Sequence, residues 1–531
     1  MTKKFLTFLG ILAICVFGWA VMVMADTVDI SVDSSDGYDA SVLTDDDYYT
    51  GDYYGEGVVL TVTSSTPMDY LYIMWNSVPG EWTLTVNGQS TTCGQNDFLH
   101  ELVKLPSSAT EAKITLSAEQ TSVCDIYGIS GEIPSWVQQW ETPYDEADML
   151  IISTHSDDEI LFLGAAMATY NNGGEYRVQI AYMCDLSLTE VYRQHEQLNG
   201  LWAMGITHYP QMGKFVDEWP DDEDLIYDIV DYDELVEYMV ETIRRFKPQV
   251  TVTHDFDGEY GHPEHKMCAA AVAEALESTG DSTKYTDSVT KYGTWDVPKA
   301  YFHLYEENQI ELNCRVPLSD YGGQTAVEVA KAAYKEHQSQ QWMWFYVSDG
   351  YDDDGNVDYS DDRISQINCS LFGLYRTNVG ADTSNDMMEH IVSYDEQEKA
   401  KEQETATEAA TETVVTTVTD ETGGTVETVI TVPASTETET TEAESVKGAG
   451  TAQVVKTILI IAAVIIGILI ILIIVLLIAA HIKRKKEAER RRRRRLAAQR
   501  RRAQQGQAGS SGGTQRRSQT GQNRTQTRNR K

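Results

Sequence analysis

Twice in this chain a short apolar run stops at a burst of imidazoles and carboxylates. Met149-Leu150-Ile151-Ile152-Ser153 leads into His155-Ser156-Asp157-Asp158-Glu159, and Val250-Thr251-Val252-Thr253 leads to Tyr260-Gly261-His262-Pro263-Glu264-His265. Runs of this length and composition suit buried strands. Helical runs separate them: residues 158–170, closed by Asn171-Asn172-Gly173-Gly174, then 188–204 and 224–246, stopped by Lys247-Pro248. Repeated strand–helix units imply a parallel sheet covered by helices, and such sheets collect ligands at their strand carboxyl ends. Both clusters fall there. A His-x-x-His pair or an acidic helix start is ordinary by itself, since carboxylates favour the positive end of a helix. Their joint placement points to a divalent metal with an open position for water.

The order Thr154-His155-Ser156-Asp157-Asp158-Glu159, then Gly258-Glu259-Tyr260-Gly261-His262-Pro263-Glu264-His265, resembles the PIG-L/LmbE family of zinc-dependent N-acetylglucosamine deacetylases. The likeness covers residues 146–392. It includes Arg193-x-x-Glu196 with Gly205 nine residues on, Glu336-His337-Gln338-Ser339-Gln340, and the closing Val379-Gly380-Ala381-Asp382 to Met388-Glu389. The resemblance implies a Rossmann-like deacetylase domain in which His155, Asp158 and His265 ligate zinc. Other divalent ions remain open, because His/carboxylate sites discriminate weakly. It further implies Asp157 as general base towards the attacking water, and His262 and Tyr260 as stabilisers of the tetrahedral intermediate. Glu264 would hold the His262 ring from behind. Arg193 is a candidate for binding the sugar or its aglycone, with an ion pair to Glu196 or Glu190 as the competing reading. His337 reads as structural and Glu159 as a helix cap. Ser156 stands where the family usually has proline, and Glu264 where it usually has aspartate. Neither removes a ligand.

Residues 27–135 have a different rhythm. Period-two runs such as Val58-Val59-Leu60-Thr61-Val62, Leu71-Tyr72-Ile73-Met74-Trp75 and Trp82-Thr83-Leu84-Thr85-Val86 alternate with turn pairs Pro79-Gly80 and Asn87-Gly88. An antiparallel β-sandwich is expected. It resembles discoidin-like, galactose-binding jelly rolls, which makes it a candidate carbohydrate-binding module. Its Asp- and Tyr-rich stretch 45–54 reads as a loop that either stacks on sugar or is a plain exposed turn.

Topology follows from two apolar segments. Residues 1–25 have the parts of a cleaved signal peptide: Lys3 and Lys4, an apolar stretch, and Val23-Met24-Ala25, with an uncleaved anchor as the alternative because the apolar stretch is long. Residues 457–480 carry no charge and would span roughly 36 Å as a helix, enough for a hydrocarbon core. Lys483-Arg484-Lys485-Lys486 and the arginines of 490–495 follow directly, which places that end in the cytoplasm. Between domain and bilayer, residues 396–453 are Thr/Glu-rich and without aromatics, a composition expected to form an extended stalk.

The net charge of −40 is uneven: the tail 481–531 carries 19 Lys/Arg against 2 Glu, the remainder 23 against 80 Asp/Glu. So acidic a body is a poor partner for nucleic acid, and the basic tail reads as a topology signal that attracts anionic lipid. Six cysteines lie beyond the signal segment in an export-compatible setting, with Cys93 and Cys124 a candidate bridge. The chain is therefore expected to be a single-pass cell-surface hydrolase. It would remove the N-acetyl group from a GlcNAc-type sugar of an extracellular or envelope glycan. The alternative is a non-catalytic glycan-binding surface protein.

Overall fold

A computed structural model of the protein describes residues 26–187, 190–220, 223–342, 345–351, 355, 367–409, 411–419 and 425–433. The N-terminal strands are β1 (Asp26–Val28), β2 (Ile30–Ser34), β3 (Asp52–Gly55), β4 (Val59–Trp75), β5 (Trp82–Val86), β6 (Gln89–Cys93), β7 (His100–Leu116) and β8 (Gln120–Ser130). All their pairings are antiparallel. The sequence suggests separate strands at 58–62 and 71–75. Instead β4 runs through both, pairing first with β2 (Val62 opposite Val32) and then with β8 (Ile73 opposite Ile126). Register shifts between Thr63 and Tyr70 bend it at the point where Pro67 can donate no ladder hydrogen bond. The bend lets Leu60, Val62, Ile73 and Trp75 all reach one buried interior while β4 stays paired with β7 on both sides of it.

The second half is an α/β domain. Strands β9 (Met149–Ser153), β10 (Val178–Tyr182), β11 (Val250–Thr253), β12 (Lys299–His303), β13 (Gln309–Glu311) and β14 (Leu371–Thr377) form one sheet, ordered β10-β9-β11-β12-β14-β13. The first four are parallel. β14 and β13 are antiparallel, so the expected parallel sheet is mixed at one edge. β14 returns after α8 and inserts between β12 and β13, antiparallel to both. The helices are α1 (Asp158–Leu161), α2 (Gly164–Asn171), α3 (Val191–Ala203), α4 (Ile226–Ile229), α5 (Tyr232–Phe246), α6 (Pro263–Leu276), α7 (Thr286–Tyr292) and α8 (Ala326–Ala333). β9 to β12 are buried along their whole length, as helix-covered strands must be. α5 begins at Asp231, whose carboxylate accepts the N–H groups of Asp233 and Glu234, and ends at left-handed Lys247 before Pro248.

The two halves meet along a polar seam. His100 and His195 stack with ring nitrogens 2.8 Å apart, and Nε2 of His195 lies 2.8 Å from the Asn76 side-chain oxygen. Tyr209 accepts the Leu99 N–H at 3.0 Å.

Three expectations need comment. Cys93 and Cys124 are both free and buried, because they pack into different apolar clusters rather than towards each other. The Thr/Glu-rich segment is not simply extended where it is described. It holds a helix, α9 (Tyr394–Ala409), and an antiparallel ribbon of β15 (Thr411–Thr419) and β16 (Thr425–Pro433), in keeping with the strand preference of its Thr and Val residues. Among the described residues no helix is long and apolar enough to cross a membrane. The expected span 457–480 and the expected signal 1–25 lie outside them.

Candidate metal centre

The loops after β9 and β11 bring the two clusters together. Asp158 Oδ2 lies 2.9 Å from Nδ1 of His155 and 2.9 Å from Nε2 of His265, and those nitrogens are 3.3 Å apart. Ligand atoms about 2.0–2.1 Å from a tetrahedral ion are separated by roughly 3.3 Å, so the triangle has the size of one face of such a site. The far nitrogens support the same reading. Nε2 of His155 donates to Glu264 at 2.5 Å and Nδ1 of His265 to Glu259 at 2.7 Å, a pattern that aims the remaining lone pair of each ring at an ion. Burial opposes charge on His265, yet Asp158 and Glu259 lift its pKa to about 9. Burial likewise opposes ionisation of Asp158, yet His265 and His155 hold it well below the usual carboxylate range. The cluster favours positive charge at its centre, and its donors fit a divalent cation.

The turn that presents these groups is strained. Asp157 has a φ of 105°, a conformation costing a non-glycine residue about 1–3 kcal/mol. It is held from three sides. Glu159 accepts the Asp157 N–H at 2.8 Å, Arg193 donates to the Ser156 carbonyl at 2.9 Å, and the Ser156 hydroxyl donates to the Arg193 carbonyl at 2.9 Å. A hydroxyl pin thus does at Ser156 what ring rigidity does in a proline. The Asp157 carboxylate is buried, and desolvation together with Asp158 pushes its pKa up to about 7 against the pull of Arg193.

A cleft of about 230 Å³ opens over this point. Its wall includes Asp157, Tyr260, His262 and Arg193, all expected from the sequence. His262 caps α6 by accepting the Glu264 N–H on Nδ1 at 3.2 Å, which leaves the proton on Nε2. Burial, with His155 and His265 nearby, keeps that ring neutral. Tyr260 sits between Trp219 and Phe345, with ring centroids 5.7 and 5.4 Å away, and burial raises its pKa well above the usual phenol value.

Two assignments change. Glu264 does not support the His262 side chain; it lies two residues past it and holds His155 instead. Arg193 is spent on the protein, donating to Asp157 at 3.2 Å, Asp217 at 2.7 Å and Glu190 at 3.3 Å. It fixes the Asp157 carboxylate as much as it lines the cleft. Three residues carry more than the sequence suggested. Glu259 gathers the Nδ1 atoms of His254, His265 and His303 on one buried carboxylate. Asp217 and Trp219 reach the cleft from the segment between α3 and α4, where no motif marks them. His254 accepts the Thr154 N–H on its other nitrogen, so both its ring nitrogens are engaged. His337 is buried 3.4 Å from Glu159, away from the donor triangle. The closing motif is a clasp: buried Lys299 pairs with Asp382 at 2.5 Å and donates to the Met387 and Glu389 carbonyls.

Fold and donors together define an α/β protein with a candidate divalent-cation site at the carboxyl ends of its strands. The family model "PIG-L: GlcNAc-PI de-N-acetylase" matches residues 150–276, so the chain carries a PIG-L family domain there. A 1D-myo-inositol 2-acetamido-2-deoxy-alpha-D-glucopyranoside deacetylase 1 from Catenulispora acidiphila is 26% identical over 228 residues, 38% of this chain and 68% of that protein. Its counterpart from Geodermatophilus obscurus is 27% identical over 179 residues, 29% of this chain and 60% of that protein. The chain thus spans about two thirds of these relatives' length. Among solved structures, the N,N'-diacetylchitobiose deacetylase of Pyrococcus horikoshii is similar at 15% identity and a TM-score of 0.26, over 38% of this chain and 73% of that one.

Proposed function

We propose that the protein is a metal-dependent hydrolase that removes the N-acetyl group from an amino sugar. The observation that carries this reading is the triangle of His155, Asp158 and His265 donor atoms, each imidazole backed by a buried carboxylate. The deacetylase relatives supply the reaction class and the N-acetylated sugar. Zinc is the ion we assign, held by those three residues; when bound it supplies Lewis acidity that activates a water and polarises the acetamide carbonyl. Asp157, fixed by Arg193 beside the triangle, accepts the proton of the attacking water. His262, neutral and protonated on Nε2, donates a hydrogen bond to the oxygen on which charge develops, as a neutral imidazole at a helix N-terminus can. Tyr260 forms the wall on the same side. The intact donors count against the rival reading, a glycan-binding protein with a vestigial α/β domain.

We further propose that the substrate is an extracellular or envelope glycan, met by a membrane-anchored enzyme whose tail is cytoplasmic. The support is the signal-like start, the uncharged segment 457–480 and the arginine-rich run behind it. Acetate release from N-acetylated oligosaccharides by the metal-loaded protein, lost on chelation and restored by zinc, tests the reaction. Stoichiometric metal without acetate release would remove it.

A further inference from the structure

The acidic, tyrosine-rich loop of the sandwich is tied to the wall of the catalytic cleft. Tyr48 and Tyr49 both aim their hydroxyls at Oε1 of Glu196, a fully buried carboxylate on α3, at 3.3 and 3.0 Å. The same carboxylate accepts the Ser339 N–H at 2.8 Å and its hydroxyl at 2.5 Å. Ser339 accepts in turn from the Gln340 side chain at 3.0 Å, and Gln340 lines the cleft. The Tyr49 ring also lies 4.9 Å from the ring of Tyr192, tilted 31° to it, and Tyr192 directly precedes the cleft residue Arg193. Tyr48 backs Tyr49 at 4.8 Å. Despite these ties Tyr49 remains 51% exposed.

A ring oriented by a buried carboxylate yet half open to water, and joined through Glu196 and Ser339 to the cleft residue Gln340, is a fixed stacking surface. Tyrosine offers broad, rigid, amphipathic contact at low entropy cost, which suits the apolar face of a pyranose. The cleft itself is smaller than the roughly 300–1,000 Å³ typical of sites for drug-sized ligands, so most of a longer substrate must lie on its rim. We infer that Tyr49 and Tyr192 form a sugar-binding subsite beside the cleft, so that the sandwich extends the active site and the substrate is an oligosaccharide. This rests on the amino-sugar reading above. The sandwich is then a specificity element of the enzyme rather than a separate adhesive module.

The test uses the full-length, zinc-loaded protein and two probes, N-acetylglucosamine and its β-1,4-linked tetramer. Calorimetry measures binding and acetate release measures turnover. The tetramer should bind about tenfold more tightly than the monomer, as one stacked ring would give. Tyr49→Ala and, independently, Tyr192→Ala should erase that preference, while Tyr49→Phe, which keeps the ring and loses the bond to Glu196, should retain most of it. Tetramer binding unchanged in both alanine variants would overturn the subsite, as would a Tyr49→Phe loss equal to that of Tyr49→Ala, which would mark the contact as domain glue. Tyr49-dependent tetramer binding without any acetate release would sink the hydrolase and leave the subsite standing. Acetate release indifferent to chain length in every variant would do the reverse.

Discussion

Glu259 accepts a 2.7 Å hydrogen bond from Nδ1 of His265, and that contact decides which nitrogen of the ring faces the donor triangle. Glu264 does the same for His155 through the opposite nitrogen. Replacing either carboxylate by glutamine removes the charge behind the ligand while keeping its shape. Glu259→Gln and Glu264→Gln should each weaken metal binding about 10–100-fold, read by competition with a chelator. Unchanged affinity would mean that the rings are packed rather than poised.

Asp157 is separated from the donors by function although it neighbours Asp158 in sequence. Asp157→Ala should keep stoichiometric metal and lose turnover by about 10²–10⁴-fold. The measurement pairs metal analysis with acetate release on one sample. Persistent turnover would reassign the base.

The His100–His195 pair predicts acid sensitivity at the seam between the halves. Burial depresses His100 to about 4 and His195 well below its ordinary value, so both are neutral in the folded state. The unfolded chain binds those protons from about pH 6.5 downward, so stability is complete above that value and lost as pH falls towards 4. Thermal denaturation at pH 7.5 and pH 5 should show a lower Tm in acid, with a smaller drop in His100→Gln. An equal drop would place the sensitivity elsewhere.

Lys299 holds Asp382 in the interior of the clasp behind β12. Lys299→Met strands a buried carboxylate and should cost about 3–5 kcal/mol in urea denaturation. Metal affinity should be unaffected, since the clasp does not touch the donor triangle.

The strand ends and the donors they carry were legible in the sequence because both are local. Apolar runs of four or five residues stop at the clusters, and the sheet rules place those stops on one edge. The support for the donors was not legible. Glu259 serves three rings only because a left-handed turn, with φ of 55°, folds it beneath them. Glu264 follows His262 by two residues but turns away around the helix to reach His155. Asp217, Trp219 and the Tyr49–Glu196 contact join segments far apart in the chain, which no spacing reveals. β4 joins two runs that read as separate strands because a bulge absorbs the proline between them.

Anomalous diffraction from crystals of the zinc-loaded protein tests the central claim most directly. The account predicts one ion about 2.0–2.2 Å from Nδ1 of His155, Oδ2 of Asp158 and Nε2 of His265, with a position left open towards the cleft. An ion bound elsewhere, or none at that point in crystals that bind zinc stoichiometrically, would contradict it.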